Sequence, residues 1–201
     1  MPDDAGWNHN THYHPLALRH ASRARSAVDV GCGEGLLTRR LAAAGVPRVV
    51  GVDADPEQIR RARRAAGDAT VSYVLGDALE EPAETFDLVA CFATLHHVDL
   101  DAGLRRLRAL TAPGGRLVVV GLAAVRSPLD AALSAAAVPA AMVADRRRGT
   151  WEHGSPVVDP QDGYGAVRAA ARATLPGVRW RRRLYWRYSL EWTAPAGRSS
   201  S

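Results

Sequence analysis

The stretch Gly31-Cys32-Gly33-Glu34-Gly35 follows the apolar run Ala27-Val28-Asp29-Val30, and Asp53 closes the next apolar run, Val49-Val50-Gly51-Val52. Strand, glycine loop, helix, strand and carboxylate, in that order, describe a nucleotide-type cofactor site at the carboxyl edge of a parallel sheet. The glycines let the backbone approach a ligand closely, because a Cβ there would collide with it or forbid the turn. A dinucleotide fingerprint reads G-x-G-x-x-G and seats a pyrophosphate on the amino end of the next helix. Here the spacing is G-x-G-x-G, and Glu34 inside the loop would repel a pyrophosphate. A ligand without phosphate fits better. Asp29 and Glu34 favour a cationic group such as an amine or sulfonium, and Asp53 can accept both hydrogen bonds of a ribose diol. Taken alone, the loop is equally compatible with a tight turn that holds nothing.

Two further clusters carry chemistry. His96 and His97 stand just beyond the apolar run Phe86 to Cys91, and a histidine there can take a proton from an amine, phenol or carboxylate near neutral pH. Residues 1–25 hold four of the seven histidines, together with Trp7 and Tyr13. The segment has no strong amphipathic repeat before Pro15, which suits a water-excluding cover better than a core element. Aromatic faces also attract a sulfonium, although Trp7, Trp151, Trp180, Trp186 and Trp192 are equally suited to filling the core. The two cysteines, Cys32 and Cys91, make neither a disulfide framework nor a metal cluster, and packing is their expected role.

The elements that must position these residues alternate between strand and helix. Leu36, Leu37, Leu41 and Ala44 have helical spacing, ended by Gly45 and Pro47; Pro56 opens a helix through Arg64. Val71 to Leu75 and Phe86 to Cys91 read as strands, and Leu100 to Leu110 as a helix. Pro113-Gly114-Gly115 turns the chain into a strand from Arg116 to Gly121. An alanine-rich helix from Pro128 to Asp145, a basic and aromatic loop to Pro160, a helix from Gly163 to Thr174 and strands at 178–182 and 185–193 complete the chain. Such alternation implies an α/β fold with a parallel sheet and right-handed crossovers.

The segments VDVGCGEGLLTRRLA, VVGVDADPEQIRRAR, YVLGDALE, FDLVACFATLHHV and APGGRLVVVGL occur in the order and approximate spacing of the class I S-adenosylmethionine-dependent methyltransferases, which residues 26–121 closely resemble. NHNTHYH and LPGVRWRRRLYWRYSLEW look like the lid and final hairpin of small bacterial members of the type 11 group. The resemblance implies a Rossmann-like three-layer sandwich with a seven-stranded, mostly parallel sheet of order 3-2-1-4-5-7-6, strand 7 antiparallel. It divides one domain into a lid (1–25), a cofactor core (26–121), a helical acceptor-side segment (122–177), a hairpin (178–193) and a tail.

On this resemblance Gly31, Cys32, Gly33 and Gly35 shape the loop against the methionine portion of S-adenosylmethionine, with Asp29 turned toward its amino group. Asp53 takes the ribose hydroxyls, Asp77 and Ala78 the adenine, and Ala54 and Leu79 sandwich the ring. Asp77 is equally a turn or helix-cap aspartate. Tyr13 and Phe92 border the cofactor. Asn10, His97, Trp151 and His153 face the acceptor, and His96 and His14 are the candidate proton acceptors. The family pattern at the histidine turn makes His97 the packing residue and His96 the freer one.

Length bounds the function further. A chain of 201 residues suits one α/β domain around a small acceptor, as monomer or homodimer. No apolar run approaches the roughly 20 residues that span a bilayer, and the start has no leader pattern, so the expected location is cytoplasmic. Net charge is +5, and every basic residue among the 26 is arginine, the mark of a biased composition more than of a phosphate-binding surface. Nucleic acid is therefore the runner-up partner. A cofactor-binding protein without methyl transfer would share every motif above.

Overall fold

Val28, Val30, Val50, Val52, Val89 and Val119 are β-branched and alternate with inward residues of the other face, the pattern of strands covered on both sides. In the computed structural model, which describes residues 11–67, 69–77, 79–128, 130–132, 160–184 and 186–197, these runs form β1 (Ser26–Val30), β2 (Arg48–Asp53), β3 (Val71–Leu75), β4 (Phe86–Phe92) and β5 (Thr111–Leu122). β6 (Arg179–Arg182) and β7 (Arg187–Thr193) complete one sheet of order β3-β2-β1-β4-β5-β7-β6. β1 to β5 pair in parallel, and β7 lies antiparallel between β5 and β6. This is the Rossmann-like methyltransferase topology.

The helices α1 (Pro15–Leu18), α2 (Leu36–Ala43), α3 (Pro56–Ala65), α4 (Leu100–Leu110) and α5 (Tyr164–Thr174) occupy the two faces. Leu37 and Leu41 of α2 meet Ala27, Leu88 and Val118 on one side. Leu104, Leu107 and Leu110 of α4 and Val167 and Ala171 of α5 meet Val89 and Val119 on the other. Asp55 caps α3 through the N–H groups of Glu57 and Gln58, with Pro56 at the first position; Asp99 caps α4 through Ala102 N.

Two expectations change. Pro113-Gly114-Gly115 does not precede the fifth strand but forms a bulge within it: pairing jumps from Phe86↔Thr111 to Leu88↔Arg116. A Cβ on Gly115 would press on the carbonyls of Ala112 and Phe86 at 2.8 and 3.1 Å. The second concerns the amino-terminal segment. Its described part, from Thr11 onward, is core and not a loose cover: Tyr13, Ala17, Ala21 and Ala24 are buried against Leu37, Leu41 and Phe92. Alanines at spacings of three and four let this segment lie close on α2, a signal hidden by their small size.

Residues 1–10 and most of the expected alanine-rich helix and basic loop lie outside the described residues. The start of that helix is seen: Ser127 Oγ accepts from Asp130 N at 3.0 Å, and Arg182 donates to the Asp130 carboxylate at 2.6 Å. No described helix is long and apolar enough to cross a membrane.

Candidate active site

The loop after β1 is closed by its own N–H groups. Gly31 and Cys32 donate to Val52 O at 2.8 and 2.9 Å, Gly33 to the Asp53 carboxylate at 2.8 Å, and Gly35 to Cys32 O at 2.9 Å. A pyrophosphate site keeps such donors for its ligand; here they are used inside the protein. Gly31, Gly33 and Gly35 all have left-handed φ, at 72°, 53° and 77°. Their reasons differ. A Cβ on Gly31 would lie 2.0 Å from Thr94 Oγ1 and one on Gly35 2.2 Å from the Tyr73 hydroxyl, whereas at Gly33 the nearest atom is Gln58 Oε1 at 3.8 Å. Clearance for a ligand is thus the reading at Gly33 alone; beside the other two the protein fills the space itself.

Asp53 is fixed by both oxygens, one on Gly33 N and the other accepting from Asp55 N at 2.9 Å. An ionised carboxylate has about four acceptor positions, so two protein bonds leave capacity for a diol, and the residues present fit S-adenosylmethionine. Asp29 is buried and accepts from Thr38 Oγ1 of α2 at 2.8 Å. Burial, with a smaller contribution from the Asp53 charge, raises its pKa to about 7 against the Thr38 hydrogen bond. A cation at the loop would restore the ionised form. Asp77 is exposed and accepts from Leu79 N at 2.8 Å, so the turn-forming role anticipated for it is present. Ala54 is exposed and Leu79 half-buried. Ala78 lies outside the described residues.

Beyond β4 the chain turns sharply at Ala93, a non-glycine residue with φ 53°, whose N–H bonds Val120 O at 2.7 Å. Thr94 Oγ1 then lies 3.0 Å from Phe92 O and 3.4 Å from Gly31 O, which ties this turn to the glycine loop. In the one-turn helix Leu95–His97 the expected roles of the histidines are exchanged. Leu95 plugs the core and draws His96 in with it, while His97 is exposed, its ring 4.1 Å from that of His96. His96 Nδ1 is buried with no hydrogen-bond partner among the described residues. Burial above all, then the charges of His97 and Arg187, lowers the His96 pKa to about 4. The ring is neutral at pH 7, with Nδ1 open to a hydrogen bond, and burial makes it a weak base that takes a proton only from a group that develops positive charge beside it.

His14 is buried edge-on to Phe92 at 5.5 Å, with Nδ1 3.1 Å from an Arg40 guanidinium nitrogen. Arginine only donates, so Nδ1 accepts and the ring proton sits on Nε2. Burial, then Arg40, lowers its pKa to about 3. The Tyr13 hydroxyl donates to Leu184 O at 3.1 Å, in the turn between β6 and β7. Burial pushes the Cys32 thiol up and holds Cys91 near 12, so both remain protonated, and a Cβ on Gly51 would be 2.9 Å from Cys32 Sγ. Asn10, Trp151 and His153 lie outside the described residues. Among the described residues no group of three or more His, Cys, Asp or Glu could hold a metal.

Sequence reasoning missed Thr38, Tyr73, Thr94 and Arg187. Tyr73 carried a faint signal, since an inward tyrosine on β3 opposite Gly51 must fill the space beside the loop. Arg187 was hidden in an arginine-rich hairpin, where charge alone does not mark the buried residue.

A model of the type 11 methyltransferase domain matches residues 28–119. An uncharacterized methyltransferase of Mycobacterium tuberculosis is 38% identical over 199 residues, covering 96% of this chain and 99% of its own. Among solved structures, a putative S-adenosylmethionine-dependent methyltransferase from Listeria monocytogenes superposes with a TM-score of 0.64 at 14% identity, over 92% of this chain and 97% of that one. An N-methyltransferase from Bradyrhizobium japonicum, in complex with S-adenosylhomocysteine, gives 0.61 at 20% identity, over 92% and 87%. A loop that keeps phosphate out, a diol-ready carboxylate and this sheet order meet in one edge, and the chain belongs to the class I S-adenosylmethionine-dependent methyltransferases of the type 11 family.

Proposed function

We propose that the protein methylates a small-molecule O or N nucleophile held over the carboxyl ends of β4 and β5. S-adenosylmethionine supplies an electrophilic methyl whose departure from the sulfonium neutralises charge and needs no acid. Asp53 holds the ribose, Gly33 leaves room for the methionine portion, and Asp29 balances its ammonium. Asp77 meets the adenine between Ala54 and Leu79, while Tyr13 and Phe92 border the cofactor. The protein aligns the nucleophile and excludes water.

The observation that carries this reading is His96: a neutral, half-buried imidazole with an unpartnered Nδ1, one turn beyond β4. It takes the acceptor proton. His14 is assigned to holding the amino-terminal segment, because one of its nitrogens is engaged by Arg40. The small-acceptor reading also draws on the arginines. Arg19 and Arg183 pair with Glu191, Arg182 with Asp130, Arg48 with Glu84, and Arg60 and Arg61 with Glu57. Arg63 and Arg106 bond backbone carbonyls. Arg182 and Arg183 are largely covered by these contacts, whereas Arg19, Arg48, Arg60 and Arg61 are exposed with their charges paired inside the chain, which leaves them less available to phosphates.

The test is to incubate the protein with methyl-labelled S-adenosylmethionine and fractionated small metabolites, ribosomal RNA and DNA. Label in a small molecule, falling roughly 100-fold in His96→Ala with cofactor affinity unchanged, is the expected result. Label confined to nucleic acid would overturn the acceptor class, and an undiminished His96→Ala would remove the histidine.

A further inference from the structure

Because β7 runs against its neighbours, its first residue, Arg187, stands at the same edge as the ends of β4 and β5. Arg187 pairs in register with Leu122, and His96 follows β4 on the opposite side of β5. Adjacent strands lie about 4.8 Å apart, so side chains rising on either side of β5 converge over its end. The Arg187 charge reaches His96 and acts on its proton affinity. Two phenols approach from opposite faces of the sheet. Tyr13 comes from the α2 side and Tyr164, the first residue of α5, from the α4 side; both interact electrostatically with Arg187. Tyr164 is covered by the Arg182 guanidinium, 3.8 Å from the centre of its ring, and its hydroxyl is buried without a hydrogen bond of good geometry among the described residues.

Arg187 is 8% exposed, and burial lowers its pKa to about 10, which leaves it charged at pH 7. Five N–H donors allow one guanidinium to keep its contacts within the protein and still offer a fork to a ligand. Beside it Trp186 is 45% exposed and has φ 55°, a conformation that bulky residues rarely adopt. An exposed indole next to Arg187, on a backbone held at positive φ, is suited to cover a flat apolar body.

We propose that the methyl acceptor carries an anionic group, carboxylate or phosphate, which Arg187 binds while Trp186 covers the acceptor's body. Arg187 is then a specificity residue: it selects what enters and sets where the nucleophile stands relative to His96. The assignment rests on the methyltransferase reading of the same edge.

The full chain is first titrated with S-adenosylhomocysteine by calorimetry. Failure to bind overturns the cofactor reading and this proposal with it; binding, followed by failure of the next step, overturns this proposal alone. Benzoate, phenyl phosphate and neutral benzamide are then titrated into the saturated complex, with heat and tryptophan fluorescence recorded. One of the anions is expected to bind at least about ten-fold more tightly than benzamide, and which one does so separates carboxylate from phosphate. Arg187→Met should remove that preference and Arg187→Lys should keep part of it. Equal binding of all three probes, or a preference that survives Arg187→Met, would overturn the proposal. If Arg187→Met does not fold, the wild-type comparison of anions with benzamide decides it, since anion binding alone must weaken between about 50 and about 500 mM salt.

Discussion

The two halves of the carboxyl edge are built by different means. On the side proposed for the cofactor, at the ends of β1 and β2, the backbone sets the geometry: left-handed glycines, N–H groups closed on Val52, and a carboxylate held between Gly33 and Asp55. On the side proposed for the acceptor, at the carboxyl ends of β4 and β5 and the start of β7, the geometry comes from side chains brought together over long separations, such as His96 and Tyr164 with Arg187. A backbone-defined half tolerates little change, because each glycine answers to a fixed φ or a filled space. A half defined by side chains can be rewritten residue by residue while the fold stands.

The largest effect should therefore come from the loop. Gly31→Ala places a Cβ against Thr94 at a positive φ. Left-handed strain and overpacking together should cost about 2–5 kcal/mol, read by chemical denaturation. Adding Thr94→Gly should recover the packing part and leave the strain. Full stability in Gly31→Ala would break the distinction between the halves. Next comes Asp53→Ala, which should weaken S-adenosylhomocysteine binding by about 2–4 kcal/mol in calorimetry. Unchanged affinity would remove Asp53 from the site.

Asp29 sharpens the comparison through pH. The unfolded chain ionises it near 3.8 and the folded protein near 7, so across that window the folded state holds the extra proton and stability falls as pH rises. Asp29→Asn, which cannot ionise, should lose its relative stability deficit, or gain an advantage, between pH 5 and pH 8, by roughly 2 kcal/mol. Thermal unfolding of both proteins at the two pH values decides it, and parallel pH profiles would mean that Asp29 ionises freely. The smallest effect belongs to Tyr13, whose ring borders the cofactor in the proposed reading while its hydroxyl bonds Leu184 O. Tyr13→Phe keeps the ring and removes that one hydrogen bond, so it should cost about 1 kcal/mol in chemical denaturation and leave cofactor affinity nearly unchanged. A large loss of cofactor binding would show that the hydroxyl itself, and not the ring alone, supports the cofactor side.

The same division explains what the sequence made legible. The strands β1 to β5, the α4 boundaries and the Asp53 position follow from local patterns: apolar runs, leucines at helical spacing and a glycine-rich loop before the next strand. The order of the strands came with the family resemblance and not from any local pattern. The identity of the buried partner is not local. Nothing near Gly31 says that Thr94 will occupy its empty side, and nothing in Arg181-Arg182-Arg183 and Arg187 distinguishes the arginine that turns inward. The exchange of His96 and His97 has the same origin, because a single turn anchored by Leu95 decides which ring is covered.

The place of β7 has a consequence for how the chain is made. β6 comes first from the ribosome yet pairs only with β7, and β5 receives its second neighbour only when β7 is added. Until β7 emerges, the edge of β5 is an unpaired hydrogen-bonding template of the kind that recruits foreign strands. Tyr13, synthesised 171 residues before Leu184, waits equally long for the turn that holds it. A ribosome stalled before β7 would display the cofactor strands with an open flank, which makes completion of the hairpin the step that turns an adhesive intermediate into an enzyme.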